Sequence, residues 1–150
     1  MRRALSRWTA SALFVAAFAT VIVVQAQAPA GRYTISGGTV YDTKTKLTWQ
    51  QTPSETTLSQ SGASSYCAGL SLGAPPLQWR VPTFRELVTI VDLTSTPPVI
   101  DSTSFPNTPS ALFWTASAFP GGTYLIDFGL SDGLNTGSDS SAMNYVRCVH

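Results

Sequence analysis

Apolar positions along the chain change period several times, and each change marks an element. Residues 12–24 are apolar or small throughout, broken only by Thr20. From residue 32 the spacing drops to two. Tyr33, Ile35, Val40 and Tyr41 precede the polar stretch Asp42-Thr43-Lys44-Thr45, and Leu47-Thr48-Trp49 follows it. That alternation around a polar turn predicts a β-hairpin over 32–50, then a polar loop over 51–57. Over 59–70 the apolar or small side chains fall at 63, 66, 67 and 70. This is one stripe of an amphipathic helix, which turns Tyr66 and Cys67 toward the core. After a loop at 73–76, Trp79-Arg80-Val81 is extended, because Pro82 drives its predecessor out of the helical region. Thr83-Phe84-Arg85-Glu86 forms a capping box, and the stripe Phe84, Leu87, Val88, Val91 predicts a second helix over 84–93.

The remainder reads as irregular structure and strands. Residues 94–110 hold Pro97, Pro98, Pro106 and Pro109 and predict a packed but irregular stretch. Residues 112–118 predict a strand, as do 123–130, with Tyr124, Ile126, Phe128 and Leu130 on one face. Asp132-Gly133 is a turn signal, and 142–149 predicts a last strand carrying Cys148. The order of hairpin, two helices and several strands predicts an α+β domain, an antiparallel sheet with two helices and long loops.

The first residues predict an address rather than a fold. Arg2, Arg3 and Arg7 precede the apolar run with no acid among them, and Ala26-Gln27-Ala28 follows it. The run is 13 residues long, where a bilayer span needs about 20. A basic start, a short apolar run and a small-x-small exit predict a secretory signal peptide over 1–28, cleaved near Ala28. An uncleaved anchor helix is the competing reading. No cysteine stands at the exit to carry a lipid anchor. The expected location is secreted or periplasmic, with residues 29–150 as one domain.

Export changes the charge and the chemistry of the cysteines. Residues 29–150 carry six basic and eight acidic groups, a net charge of −2. Nucleic-acid binders show a clustered basic face, so this charge argues against such a partner. It also favours neutral ligands over heparin-like ones. Ser and Thr make up 33 of these 122 residues, a polar surface with few charges. Cys67 and Cys148 are the only cysteines. In an oxidising compartment an even pair reads as a disulfide. A pair of reactive thiols is the alternative, although the spacing matches neither C-x-x-C nor a metal knuckle.

Four segments taken in order carry a family resemblance. They are Thr39-Val40-Tyr41-Asp42 through Leu47-Thr48-Trp49-Gln50; Trp79 through Leu87; Phe105-Pro106-Asn107-Thr108-Pro109 leading to Phe113-Trp114-Thr115-Ala116-Ser117; and Tyr145-Val146-Arg147-Cys148-Val149. Over roughly 32–149 the chain resembles the Lcl C-terminal-domain family of exported bacterial proteins. The resemblance implies a C-type-lectin-like or sulfatase-modifying-factor-like fold, with a first-helix cysteine bridged to the final strand. It also implies a surface or periplasmic binding module, glycan or glycosaminoglycan adhesion being proposed for some members, and no common catalytic activity.

Candidate chemistry is sparse. The one histidine, His150, is the last residue, so a Ser-His-Asp triad or a His-based metal site has no foundation. Lys44 and Lys46 fall in a predicted turn and read as solvated. A carboxylate pair for glycoside hydrolysis would come from Asp127 and Asp132, with Asp139 a third candidate. The turn preference of Asp offers a structural explanation for each. Calcium-dependent lectins use acid-bearing triplets; the nearest here, Phe105-Pro106-Asn107 and Met143-Asn144-Tyr145, lack the acids. The oxygen-rich loop 132–139 is a weak alternative for an ion. Copper-dependent oxidation needs reactive thiols, which a disulfide consumes. Trp49, Trp79 and Trp114 read as core rather than as sugar-stacking platforms. Arg80 and Arg147 read as guanidinium groups tied to backbone carbonyls or to Asp/Glu.

No catalytic, cofactor or metal residue is therefore assigned. The expected function is a non-catalytic exported recognition module for a glycan or a cell-surface protein. Its candidate binding residues are Asp132, Asn135 and Asp139 of the polar loop 131–141, with Asn144 just beyond it, since such loops on a rigid scaffold carry binding. A small glycoside hydrolase using Asp127 and Asp132, and an assembly subunit of the cell envelope, are the alternatives.

Overall fold

A computed structural model describes residues 28–75, 77–129 and 135–150. All but the last residue of the predicted leader fall outside the described residues. Among those described, no helix is long and apolar enough to cross a membrane. The elements run β1 (Tyr33–Ser36), β2 (Thr39–Asp42), β3 (Thr48–Gln50), α1 (Gln60–Ala68), α2 (Phe84–Val88), β4 (Leu112–Phe119), β5 (Gly122–Asp127) and β6 (Asn135–Ser138). They form an α+β fold with two antiparallel three-stranded sheets, ordered β1-β2-β3 and β4-β5-β6.

The expected hairpin over 32–50 is a three-stranded meander. Gly37 and Gly38 both take positive φ, 53° and 78°, and close a two-residue turn that a side chain at either position would strain. Ile35 thereby faces Val40 across the ladder, and Val40 in turn faces Trp49. Asp42 ends β2 fully buried. It receives Arg32 Nε and Nη2 at 3.2 and 2.9 Å and the Lys44 amide at 2.9 Å. Arg32 Nη2 also donates to the Thr89 carbonyl, which ties this sheet to the end of α2.

Both helices start at a side-chain cap, the second at the box the sequence places there. Ser59 accepts the Gly62 amide ahead of α1, and Ala63 and Cys67 are its buried residues. The Thr83–Glu86 capping box is complete. Arg80 adds two bonds to Glu86, at 2.7 and 2.8 Å. The guanidinium and the Thr83 donors outweigh partial burial and hold the Glu86 carboxyl down to about 2. The second helix is five residues long rather than ten. From Thr89 the bonds tighten to i→i−3, with Ile90 and Val91 donating to Leu87 and Val88. Val91 then bridges Ile100, so tertiary pairing takes residues that the apolar stripe would assign to the helix.

Sheet β4-β5-β6 separates two cores. Phe113 and Ile126 face each other across the ladder on one side, Trp114 and Leu125 on the other. The first pair joins Val40, Trp49, Leu87 and Phe105; the second joins Ala63, Cys67 and Trp79. Both faces of β5 are thus covered, where the sequence reading covered one. All three tryptophans are core residues.

The expected final strand over 142–149 keeps its period but builds no ladder. Its partners change at almost every residue: Asn144 pairs with Leu58, Tyr145 with Phe113, and Val149 with both Trp49 and Arg80. Tyr145 and Val149 point into the first core and Val146 and Cys148 into the second. Cys148 is bonded there to Cys67 of α1, with Cα atoms 5.5 Å apart. The disulfide reading of the pair holds, and none of the described cysteines is free.

Arg147, between Val146 and Cys148, is fully buried. Its guanidinium lies 4.9 Å from the Phe105 ring centroid and 6.0 Å from that of Phe113. Nη2 donates to Thr108 Oγ1 at 2.8 Å and to the Gln51 carbonyl at 3.3 Å. Nε and Nη1 have no partner. The expected carbonyl tie is present, but no described carboxylate pairs with it; ring faces take that place. Burial pushes its pKa down to about 9, and the group remains cationic at neutral pH.

This packing sets three expected outcomes. Replacing both cysteines by alanine is expected to lower unfolding free energy by about 4 kcal/mol, since the bridge closes a separation of 81 residues. Arg147→Met is expected to match or exceed the native stability, because it fills the same space without a half-satisfied buried charge. Arg147→Ala should lose about 3 kcal/mol to the cavity it leaves. Urea unfolding with the disulfide intact measures both arginine variants.

Candidate functional site

Residues 144–145 draw one end of the second sheet into a groove. The Leu58 amide donates to the Asn144 carbonyl at 2.8 Å, and the Asn144 amide returns to Leu58 at 3.0 Å. The Tyr145 amide reaches the Leu112 carbonyl at 3.0 Å, and Trp114 donates back to Tyr145 at 2.8 Å. The chain ending β5 turns here as well. Asp127 Oδ1 accepts the Gly129 amide at 2.7 Å, the short-range bond for which Asp is favoured in turns. A Cβ on Gly129 would lie 3.0 Å from both Asp127 Oδ1 and the Ser110 carbonyl. Only glycine lets the two segments close so tightly.

The groove has a volume of about 440 Å³, within the range of small-molecule sites. Thr57, Ser110, Leu112, Asp127, Met143, Asn144 and Tyr145 supply its side chains. Asp127 is the only ionisable acid or base among them apart from the Tyr145 phenol. Its Oδ2 has no hydrogen-bond partner among the described residues. Met143 is 57% exposed, one of the few large apolar side chains that open to solvent. Asn144 is only 6% exposed, and its Nδ2 has no partner. Leaving a buried amide unpaired costs about 1–3 kcal/mol. Among the described residues, the other buried side-chain atoms without partners are Trp49 Nε1 and Arg147 Nε and Nη1. Neither of those residues lines a described groove.

Of the candidate binding residues that are described, Asn144 and Asp139 line different grooves. Asp132 lies outside the described residues, together with 130–134. Asn135 opens β6, so part of the expected loop 131–141 is a strand paired with β5; its side chain is not among those described. Asp139 is exposed, and its Oδ1 accepts the Ser141 amide and hydroxyl, both at 2.6 Å. Those two bonds hold its carboxyl below the usual range. It borders a second groove of about 580 Å³ with Gln60 and Thr123, which Asn144 does not line. Asp127 enters the Asn144 groove instead, and its proposed partner Asp132 is not described. Among the described residues, no group of three or more His, Cys, Asp or Glu is placed to hold a metal.

Sequence reasoning missed Tyr145, Met143 and Thr57 as lining residues. One signal was present: a methionine and a tyrosine flank Asn144 in an otherwise polar stretch.

The molecule is thus a disulfide-stapled α+β domain with a groove walled by side chains at the rim of its second sheet. It belongs to the Lcl C-terminal domain family, whose model matches residues 38–150. No curated protein and no solved structure matches the chain.

Because Asn144 Nδ2 bonds to nothing, Asn144→Leu is expected to leave the melting temperature unchanged or raise it by a few degrees. Differential scanning calorimetry of the oxidised protein provides the measurement. A fall of several degrees would mean that Asn144 holds the fold together.

Proposed function

We propose that the protein is an exported, non-catalytic recognition module that binds a glycan or a cell-surface protein on a C-type-lectin-like scaffold. One observation carries this reading: a nearly buried carboxamide without a partner lines an open groove. A group kept at a cost to stability is a candidate for an external partner. The bridge from the first helix to the closing segment supports the lectin-like scaffold. The leader, the polar surface and the bridge together support a secreted or periplasmic location.

The groove suits recognition better than hydrolysis. Glycoside cleavage takes two carboxyl groups at a set separation, and among the described residues of this wall Asp127 is the one acid, already bonded to Gly129. The test is retention of the exported protein on immobilised envelope fractions and on a glycan array. Asn144→Leu is expected to lose at least about tenfold in retention while remaining folded, the worth of one good hydrogen bond in a desolvated site. Equal retention of variant and native protein would remove the groove from the function. Glycoside turnover abolished by Asp127→Asn would replace recognition with catalysis.

A further inference from the structure

We propose that Met143 is an oxidation site, and that its sulfoxide weakens binding in the groove it lines. The site stands on the chemistry of the chain itself; the effect on binding rests on the recognition reading.

Mild oxidants act first on thiols and thioethers that solvent reaches. Residues 29–150 hold two cysteines and one methionine. Both cysteines are buried and joined in the Cys67–Cys148 bridge. Met143 is 57% exposed, so its thioether is the one sulfur of this region left both unoxidised and open to solvent. The indoles of Trp49, Trp79 and Trp114 are shielded in the two cores.

Hydrogen peroxide suffices as the oxidant. A sulfur lone pair attacks one peroxide oxygen, and the S–O bond forms as the O–O bond breaks. The leaving hydroxide takes the proton from the new S–OH and departs as water. The thioether loses two electrons and the peroxide gains them. The change reverses when a thiol-dependent methionine sulfoxide reductase returns two electrons and releases the oxygen as water.

Position keeps the change local. Met143 belongs to neither core, so its sulfoxide disturbs no packed interior, as oxidation of a buried methionine would. It forms part of the groove wall instead. There, with Leu112 and the Tyr145 ring, it supplies apolar surface among Thr57, Ser110 and Asp127. The new oxygen turns a flexible apolar side chain into a polar one. It adds an acceptor to a wall that already carries the acceptor-only Asp127 carboxylate. A ligand face that packed on the thioether is then set against an unmatched polar group.

The test treats the folded protein, bridge intact, with hydrogen peroxide and locates the added oxygen by peptide mass spectrometry. One oxygen is expected, on the peptide holding Met143, at a rate within about threefold of free methionine. The melting temperature should move by less than about 2 °C. Retention on immobilised envelope fractions and on a glycan array should fall at least about fivefold, and return after treatment with the reductase. Met143→Leu keeps the volume without the sulfur. It should be retained like the native protein and be indifferent to peroxide. Met143→Gln, a polar stand-in, should be retained like the sulfoxide.

Oxygen entering another residue ahead of Met143, or a Met143 that resists a dose oxidising free methionine, overturns the site. A sulfoxide retained as strongly as the thioether, or a Met143→Leu protein that still loses retention with peroxide, overturns the effect on the groove and leaves recognition standing. If the untreated protein is retained on nothing, the recognition reading falls and the effect on binding with it, while the peptide map still decides the site.

Discussion

Residues 144–150 are held from several directions at once, and the rest of the molecule is arranged around them. Their backbone bonds reach Leu58, Leu112 and Trp114, Ser54, Gln50, Arg80 and Thr48 in turn. Their side chains alternate, as in any extended chain, yet Val146, Arg147, Cys148 and Val149 are all buried. Tyr145 and Val149 enter one core; Val146 and Cys148 enter the other. An extended segment buried on both faces must satisfy its backbone inside the protein. It does so by borrowing a bond or two from each of several neighbours. The Cys67–Cys148 bridge fixes this thread at one point and removes much of the entropy that the unfolded chain would otherwise keep.

The same alternation explains the oddest buried group. Arg147 stands on the side of Tyr145 and Val149, which is the aromatic core. Had the register slipped by one, the guanidinium would meet the disulfide and Ala63 instead. Phe105 and Phe113 give it ring faces in place of a carboxylate, and that compensation suits arginine better than lysine because the planar guanidinium stacks. Asn144 is a different case. It stands at the entrance to the thread and lines a groove, while its Nδ2 is buried without a partner. Arg147 and Trp49 line none of the described grooves. Burial without a partner is common to all three; position beside an opening distinguishes one.

Much of this was legible in the sequence. The Thr83–Glu86 box set the start of α2, and the stripe at Ala63 and Cys67 set the inner face of α1. The tryptophans announced the core, and the even cysteine pair announced the bridge. What escaped depended on neighbours distant in the chain. Strands of three or four residues give too few alternations to separate a hairpin from a meander, so the turn at Gly37-Gly38 was absorbed into one arm. The end of α2 was lost to Ile100, which captures Val91. Of the residues named with Asn144, Asp132 lies outside the described residues and Asn135 opens β6. Asp139 lies nearer in sequence but caps its own turn, whereas Asp127 is brought to Asn144 only because Tyr145 bonds to β4 beside β5.

That last connection links the groove to the staple. The wall formed by Met143, Asn144 and Tyr145 has no ladder of its own, and its position depends on where the thread enters the two cores. Three residues after Tyr145 the chain is covalently tied to α1. The neighbouring wall, Asp127 with Gly129, belongs to the sheet that divides those cores. A groove assembled from two segments stays in shape only while both keep their relation, which is the kind of pre-organisation that lets a few weak hydrogen bonds yield useful affinity. The bridge forms where the medium is oxidising. The stability of the fold and the shape of the groove therefore share one covalent bond.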